Sequence, residues 1–423
     1  MKILLMSIGS RGDVEPYIAL GMALLAKGHQ VNLCTPCRFQ SMVEAHGLTY
    51  QYISDDMFKM LEGGTLESMG SLLSGIKTTL RLIKMAKPIN RSMIIDTIQA
   101  GVAVRPDLVI YHPKCLAAVS IAEKMKVPAV MAVLQPMVVK TRHFPPAGIP
   151  NVNRITNRLS YSLVSLGFRQ YRSELNRQRQ ALLGLSKLDK GDGVISHSDG
   201  QPIPVLHAFS ECLVPRPSDW PSRALITGYW SIKTNHHDYQ PPQSLSAFLM
   251  NNTPIVYIGF GSMAGKNPEK TGQMVVDAVV KAGVRAIIAT GWGGLKVNQL
   301  PDTILEIDSV PHDWLFPQVC AVVHHGGAGT TAAGLIAGKP TLVCPFFGDQ
   351  PFWGQQIERQ ALGPAPIKQS KLTVDNLANA LTQLVSDPQF ARNARAVATT
   401  LSQEDGIGKA ITWLEHQGIL QTT

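Results

Sequence analysis

Short, nearly unbroken apolar runs, separated by stretches of helical period, recur along the 423-residue chain. Strands buried on both faces read this way, as they do in parallel sheets covered by helices. Lys2 to Ile8 predicts a first strand, Pro16 to Lys27 a helix ended by Gly28, and Val31 to Cys34 a second strand. A short helix from Phe39 to His46 and a strand from Leu48 to Ile53 follow. Asp107 to Tyr111, Val127 to Leu134, Val205 to Val214 and Arg223 to Tyr229 are the remaining strands of this half. The alternation predicts an α/β fold with a parallel sheet and helices on both sides.

Residues 56–98 break the rhythm. Leu72 to Lys87 reads as an amphipathic helix with Lys77, Arg81, Lys84 and Lys87 at helix-face spacing. Such a face is either solvated above a core stripe, or it lines an apolar pocket or touches a membrane. Residues 141–151, with three prolines and a glycine, predict an irregular loop. Asn153 to Leu185 is a basic helical region bearing Arg154, Arg158, Arg169, Arg172, Arg177 and Arg179. His112 ends a strand and reads as a strand-end histidine rather than a ligand contact. Asn235 to Gln243, without a long aliphatic residue, predicts a linker.

Beyond the linker the alternation restarts, with strands Ile255 to Phe260, Ala286 to Ala289 and Ile304 to Ile307 and a helix from Pro268 to Ala282. Next comes Val322-Val323-His324-His325-Gly326-Gly327-Ala328-Gly329-Thr330-Thr331. An apolar strand runs into a glycine turn, and Thr330 opens a helix of small residues ending at Gly338. Backbone N–H groups at such a helix start approach an anion closely, and the helix dipole favours negative charge there. A further strand, Thr341 to Cys344, carries Asp349 and Gln350 to the same sheet edge. Amides, an imidazole, a carboxylate and a side-chain amide are together what holding a sugar diphosphate requires. Leu377 to Leu384, Phe390 to Leu401 and Ala410 to His416 predict late helices.

Composition adds limits. With 45% hydrophobic and 16% charged residues the chain reads as globular. The run Ile3 to Ile8 is too short for the core of a leader, and no run reaches a membrane-spanning length, so the expectation is a cytoplasmic protein. The net charge of +9 divides into +11 over residues 1–235 and −2 over residues 236–423. A basic half suits a polyanion, but no nucleic-acid motif accompanies it. Scattered solvated cations and an anionic membrane surface remain as readings. Of six cysteines only Cys34 and Cys37 form a C-x-x-C, and no second pair completes a zinc site. They read as reduced thiols. The sequence has no D-x-D and no His/Cys cluster at ligand spacing, so no metal is expected.

His324-His325-Gly326-Gly327-Ala328-Gly329-Thr330-Thr331, with Pro345-Phe346-Phe347-Gly348-Asp349-Gln350 behind it, resembles the donor signature of two-domain UDP-glycosyltransferases. Gly9-Ser10-Arg11-Gly12-Asp13-Val14-Glu15-Pro16-Tyr17 is similar to the acceptor-side motif of their sterol 3β-glucosyltransferase and antibiotic-aglycone branch. The resemblance implies the GT-B fold: two doubly wound Rossmann-like domains facing across a cleft. Residues 1–235 would bind the acceptor and 236–405 the nucleotide sugar, with a C-terminal helix in 406–423 returning to the first domain. It implies that Asp13, whose residue type alone reads better as a helix cap, is the general base. His325 would meet the phosphates together with Gly327, Ala328, Gly329 and Thr330, with Ser262 facing them too, while Ser10 and Arg11 read equally as capping their own loop or as reaching the donor phosphates. Val310 and Trp314 would flank the donor base, although Trp314 reads equally as core. Asp349 and Gln350 would hold sugar hydroxyls. Ala333 stands where many plant relatives carry a glutamate that binds ribose.

The implied reaction is inverting, metal-independent transfer of glucose from UDP-glucose, a co-substrate rather than a cofactor. The acceptor would be a lipophilic hydroxyl, foremost the 3β-hydroxyl of a sterol, with peripheral contact to anionic membrane and no nucleic acid. A polyketide or peptide aglycone is the alternative acceptor. A UDP-sugar epimerase and a non-catalytic nucleotide-sugar binding protein are the alternatives of another class.

Overall fold

The computed structural model describes residues 1–56, 58, 75–232, 239–250, 253–261, 267–290 and 300–421, with the side chains of 75–86 excepted. Ser262, the first residues of the Leu72–Lys87 segment, the side chains of Lys77, Arg81 and Lys84, and residues 235–238 of the linker lie outside this set. The chain divides into two compact units. The first holds Met1–Phe209, Arg216–Ile232 and Asp405–Thr423, and the second Ser210–Pro215 and Lys233–Glu404.

In the first unit the strands are β1 (Lys2–Met6), β2 (Gln30–Pro36), β3 (Thr49–Ile53), β4 (Leu108–Tyr111), β5 (Ala129–Val133), β6 (Val205–His207) and β7 (Ala224–Ile226). They pair in the order β3-β2-β1-β4-β5-β6-β7, every pair parallel. The strands β4 and β5 are buried along their whole length, which is why their sequences do not alternate. The helix Gly406–His416 belongs to this unit: Ala410, Ile411 and Leu414 join the core of Ile3, Leu5, Ile18 and Leu24, and Glu415 pairs with Lys27 at 2.8 Å.

In the second unit the strands are β8 (Ile255–Gly259), β9 (Arg285–Ala289), β10 (Ile304–Ile307), β11 (Ala321–His324) and β12 (Thr341–Val343). Their order is β10-β9-β8-β11-β12, again all parallel. Both sheets therefore contain a point where strand order reverses, between β1 and β4 in one and between β8 and β11 in the other. Ligands in open α/β sheets bind beyond the carboxyl ends of the strands at that point.

Three expectations about element bounds are corrected. The first helix spans Arg11–Ala26, not Pro16 to Lys27, because Ser10 and Asp13 start it one turn earlier and leave Pro16 inside. The strand expected from Val205 to Val214 stops at His207, and the apolar residues after it (Phe209, Leu213, Val214) are buried in loop conformation. The helix after the glycine turn starts at Ala328, with Gly327 as its cap, rather than at Thr330.

Candidate functional site

In the first unit, β1 and β4 end side by side, and the loops that follow them bring Asp13 and Lys114 together across 101 positions. Asp13 is the third residue of the helix Arg11–Ala26, the acidic half of a capping box whose cap is Ser10. Its Oδ2 accepts the Ser10 backbone N–H at 2.7 Å and the Ser10 hydroxyl at 3.0 Å. The other oxygen, Oδ1, accepts from Lys114 Nζ at 3.2 Å. Burial raises the Asp13 carboxyl, but Lys114, His112 and the Ser10 hydroxyl outweigh it and hold the group below the usual carboxylate value. The carboxylate is thus ionised at neutral pH, and only a fifth of its side chain is exposed (18%). Gly9 permits the arrangement: at φ 151°, a Cβ on it would stand 2.1 Å from Asp13 Oδ2.

Arg11 is exposed and pairs with Glu15 at 2.8 Å along the helix. His112, at the end of β4, is buried, and its Nδ1 accepts the Lys114 N–H at 3.2 Å. Lys114 was not foreseen from the sequence. The only signal available, a cation three residues past a strand end, is too common to single it out.

In the second unit, β11 delivers two histidines to the reversal point. His324 ends the strand, is fully buried, and accepts the Gly326 N–H on Nδ1 at 2.8 Å. It is therefore His324 that serves the backbone. His325 is half-buried and its Nδ1 has no hydrogen-bond partner. Burial pushes the His325 imidazole down to about 4, so it is neutral at pH 7 and would meet a phosphate as an N–H donor. Gly261, just past β8, lies against this ring: a Cβ there would be 3.4 Å from His325 Cε1.

Gly326 turns the chain at φ 92°, and Gly327 caps the helix Ala328–Ile336, in whose first turn Gly329 and Thr330 lie. The Thr331 hydroxyl donates to the Gly327 carbonyl at 2.9 Å and braces the turn. A Cβ on Gly326 would lie 2.5 Å from Val343 Cγ1 and 3.0 Å from the Gln350 carbonyl. Gly326→Ala is therefore expected to destabilise the second unit by about 2–5 kcal/mol. The measurement is its unfolding midpoint in urea, and an unchanged midpoint would show that the turn can relax.

Asp349 and Gln350 open the helix Gln350–Arg359 beyond β12. Asp349 Oδ2 accepts the Trp353 indole N–H at 2.8 Å. Gln350 is buried, and its Oε1 accepts the Phe346 and Phe347 N–H groups at 2.7 and 3.3 Å, which leaves its NH₂ as the end that can donate to a ligand. Val310 is buried in the core with Leu315 and Phe316. Trp314 packs against the same cluster, its ring centroid 5.1 Å from that of Tyr239. The structure thus gathers Asp13, Ser10 and Lys114 at one reversal point and His325, the glycine turn and Gln350 at the other.

A glycosyltransferase family 28 N-terminal domain matches residues 3–143, and an erythromycin biosynthesis protein CIII-like C-terminal domain matches residues 273–405. Among solved structures, the glycotransferase of kitacinnamycin and the calicheamicin glycosyltransferase each align with a TM-score of 0.71, at 20% and 17% identity over 98% of both chains. The fold is thus the two-domain GT-B fold of glycosyltransferases. Two sterol 3-beta-glucosyltransferases of Arabidopsis thaliana are each 33% identical over 97% of this chain, which spans 64% and 67% of their lengths. One of Cryptococcus neoformans is 33% identical, and the chain spans 27% of its length. The chain belongs to the UDP-glycosyltransferase superfamily, in the family of the sterol 3-beta-glucosyltransferases.

Proposed function

We propose that the chain transfers glucose from UDP-glucose to the 3β-hydroxyl of a sterol or a similar lipophilic alcohol, with inversion and without a metal. The observation that carries this reading is the Asp13 carboxylate, kept ionised beside Lys114 at the reversal point of the first sheet. It takes the proton of the acceptor hydroxyl as that oxygen attacks the anomeric carbon. The bond from that carbon to the diphosphate breaks, and its electron pair leaves on UDP. His325 and the amides of Gly327, Ala328, Gly329 and Thr330 hold the charge that builds there. Gln350 and Asp349 hold the sugar, and Ser10, Arg11, Ser262, Val310 and Trp314 are proposed as the remaining donor contacts. The sterol is favoured by the named activity of the relatives, which are 33–35% identical over nearly the whole chain.

The enzyme is proposed to work in the cytoplasm and to meet its acceptor at an anionic membrane surface through its basic first half. No helix among the described residues is long and apolar enough to cross a membrane. Mass spectrometry tests the reading after incubation with UDP-glucose and a panel of sterols and non-sterol aglycones, with and without EDTA. A hexose added to sterol equally well in EDTA is expected. Transfer only to a non-sterol aglycone would discard the sterol. Epimerised donor without acceptor, or bound UDP without turnover, would overturn the enzyme assignment.

A further inference from the structure

The helix Arg154–Arg169 of the first unit has a buried face and an apolar one. One points inward: Tyr161 is buried, its hydroxyl bonded to the Phe144 carbonyl, and Asn157 is buried beside it, donating to Asn151 Oδ1 at 2.9 Å. The other is bare. Ile155, Leu159, Leu163 and Leu166 are 73%, 64%, 60% and 63% exposed, and Val152 just before the helix is 71% exposed. Spacings of four, four and three residues put these four side chains within about a quarter turn of each other, in a stripe roughly 16 Å long. Isolated exposed leucines are ordinary, but a contiguous row on one helix face marks an interaction surface.

The charge around the row is one-sided. The helix contains no acidic residue, and Arg154, Arg158 and Arg169 are exposed along its flank. Arg142 and His143 join Arg154, Ile155, Arg158 and Leu159 in lining the adjoining groove. The acid of that groove, Asp219, is committed to Thr141 and the Arg142 backbone, and stands 3.9 Å from Arg158. At 16 residues the helix is shorter than the ~20 that a span needs, so it would lie in the interface plane.

We propose that this helix is the surface by which the protein docks on an anionic lipid bilayer, with Ile155, Leu159, Leu163 and Leu166 entering the acyl boundary and the arginines meeting lipid phosphates and carboxylates. A second copy of the chain is the poorer occupant, because two-fold pairing would bring the arginine flanks of both copies together. A small lipophilic ligand is poorer too, since Leu163 and Leu166 are not among the groove's lining residues and all four side chains keep 60–73% of their surface exposed. The proposal deepens the membrane contact proposed above and names the element that makes it. Docking requires neither sugar nor acceptor, so it can fail or hold whatever the enzyme glycosylates.

The test is flotation of the full chain with vesicles of phosphatidylcholine alone and with vesicles that also contain phosphatidylserine, over a series of salt concentrations. Binding is expected to need phosphatidylserine and to weaken with salt. Leu159→Glu with Leu163→Glu should reduce partitioning at least about tenfold, because both side chains leave the acyl region. Arg154→Gln, Arg158→Gln and Arg169→Gln together should cost about fivefold per arginine and flatten the salt dependence. All five positions are exposed, so both variants should keep the melting temperature and the turnover of a water-soluble aglycone. Equal binding to neutral vesicles, undiminished binding of the leucine variant, or a fall in its oligomeric mass in place of lost binding would each overturn the proposal.

Discussion

Asp13→Asn is expected to lower kcat by about 10²–10⁴ while leaving the chain folded. The amide is isosteric, and its oxygen can still accept the Ser10 N–H, so the start of the helix Arg11–Ala26 survives. What disappears is the proton acceptor and the negative charge opposite Lys114. If Asp13 only shaped the helix start, the amide would do as well as the acid, and turnover within about twofold of the parent would remove the base assignment. A second variant separates basicity from shape. Lys114 is one of the groups that lower the Asp13 carboxyl, so Lys114→Met should move the acid limb of the kcat/KM profile to higher pH. In the parent that limb lies below the ordinary carboxylate range, and activity near neutrality is insensitive to it.

How far the chain was readable differs from element to element, and each difference has a physical cause. β4, β5, β8 and β11 were legible because parallel strands buried on both faces leave continuous apolar runs. The turn at Gly326 and Gly327 was legible because a positive φ and a crowded approach admit little else. The end of β6 was not: Phe209, Leu213 and Val214 are as apolar as strand residues but cover the core as a loop. Helix periodicity likewise cannot distinguish a buried stripe from the bare one at Leu159 and Leu163, since both have the same spacing.

Side-chain direction was the least accessible level. Nothing in His324-His325 says that the first ring accepts a backbone N–H while the second keeps an unpartnered nitrogen. Gln350 was read as a sugar contact, yet its carbonyl end is committed to the Phe346 and Phe347 amides. Lys114 meets Asp13 only because β1 and β4 are neighbours in the sheet, a pairing that no local pattern records.

The melting temperature is expected to fall steeply as pH drops from about 6.5 toward 4. Among the described residues burial lowers five histidines: His112 and His207 to about 3, His325 to about 4, His324 well below its ordinary value, and His29 below it. Above pH 6.5 these rings are neutral in both the folded and the unfolded chain, and pH has no leverage through them. Below it the unfolded chain binds protons that the folded chain refuses, so stability declines with falling pH until each folded value is reached. Within that window each ring contributes a slope of about 1.4 kcal/mol per pH unit.

The carboxylates do not mimic this, because Asp13 and Asp219 are held below their ordinary value and lose their contribution only at lower pH. Asp96, raised by burial, acts in the opposite sense. Calorimetry between pH 8 and 4.5 measures the slope. His207→Phe, in a ring already stacked on Trp220 at 4.3 Å, should reduce it by about one proton. A melting temperature that stays flat from pH 7 to pH 5 would mean that the folded chain accepts these protons. UDP should change the slope through one ring only. If its diphosphate sits beside His325, the negative charge raises that folded value, and the nucleotide protects the chain more strongly at pH 5 than at pH 7.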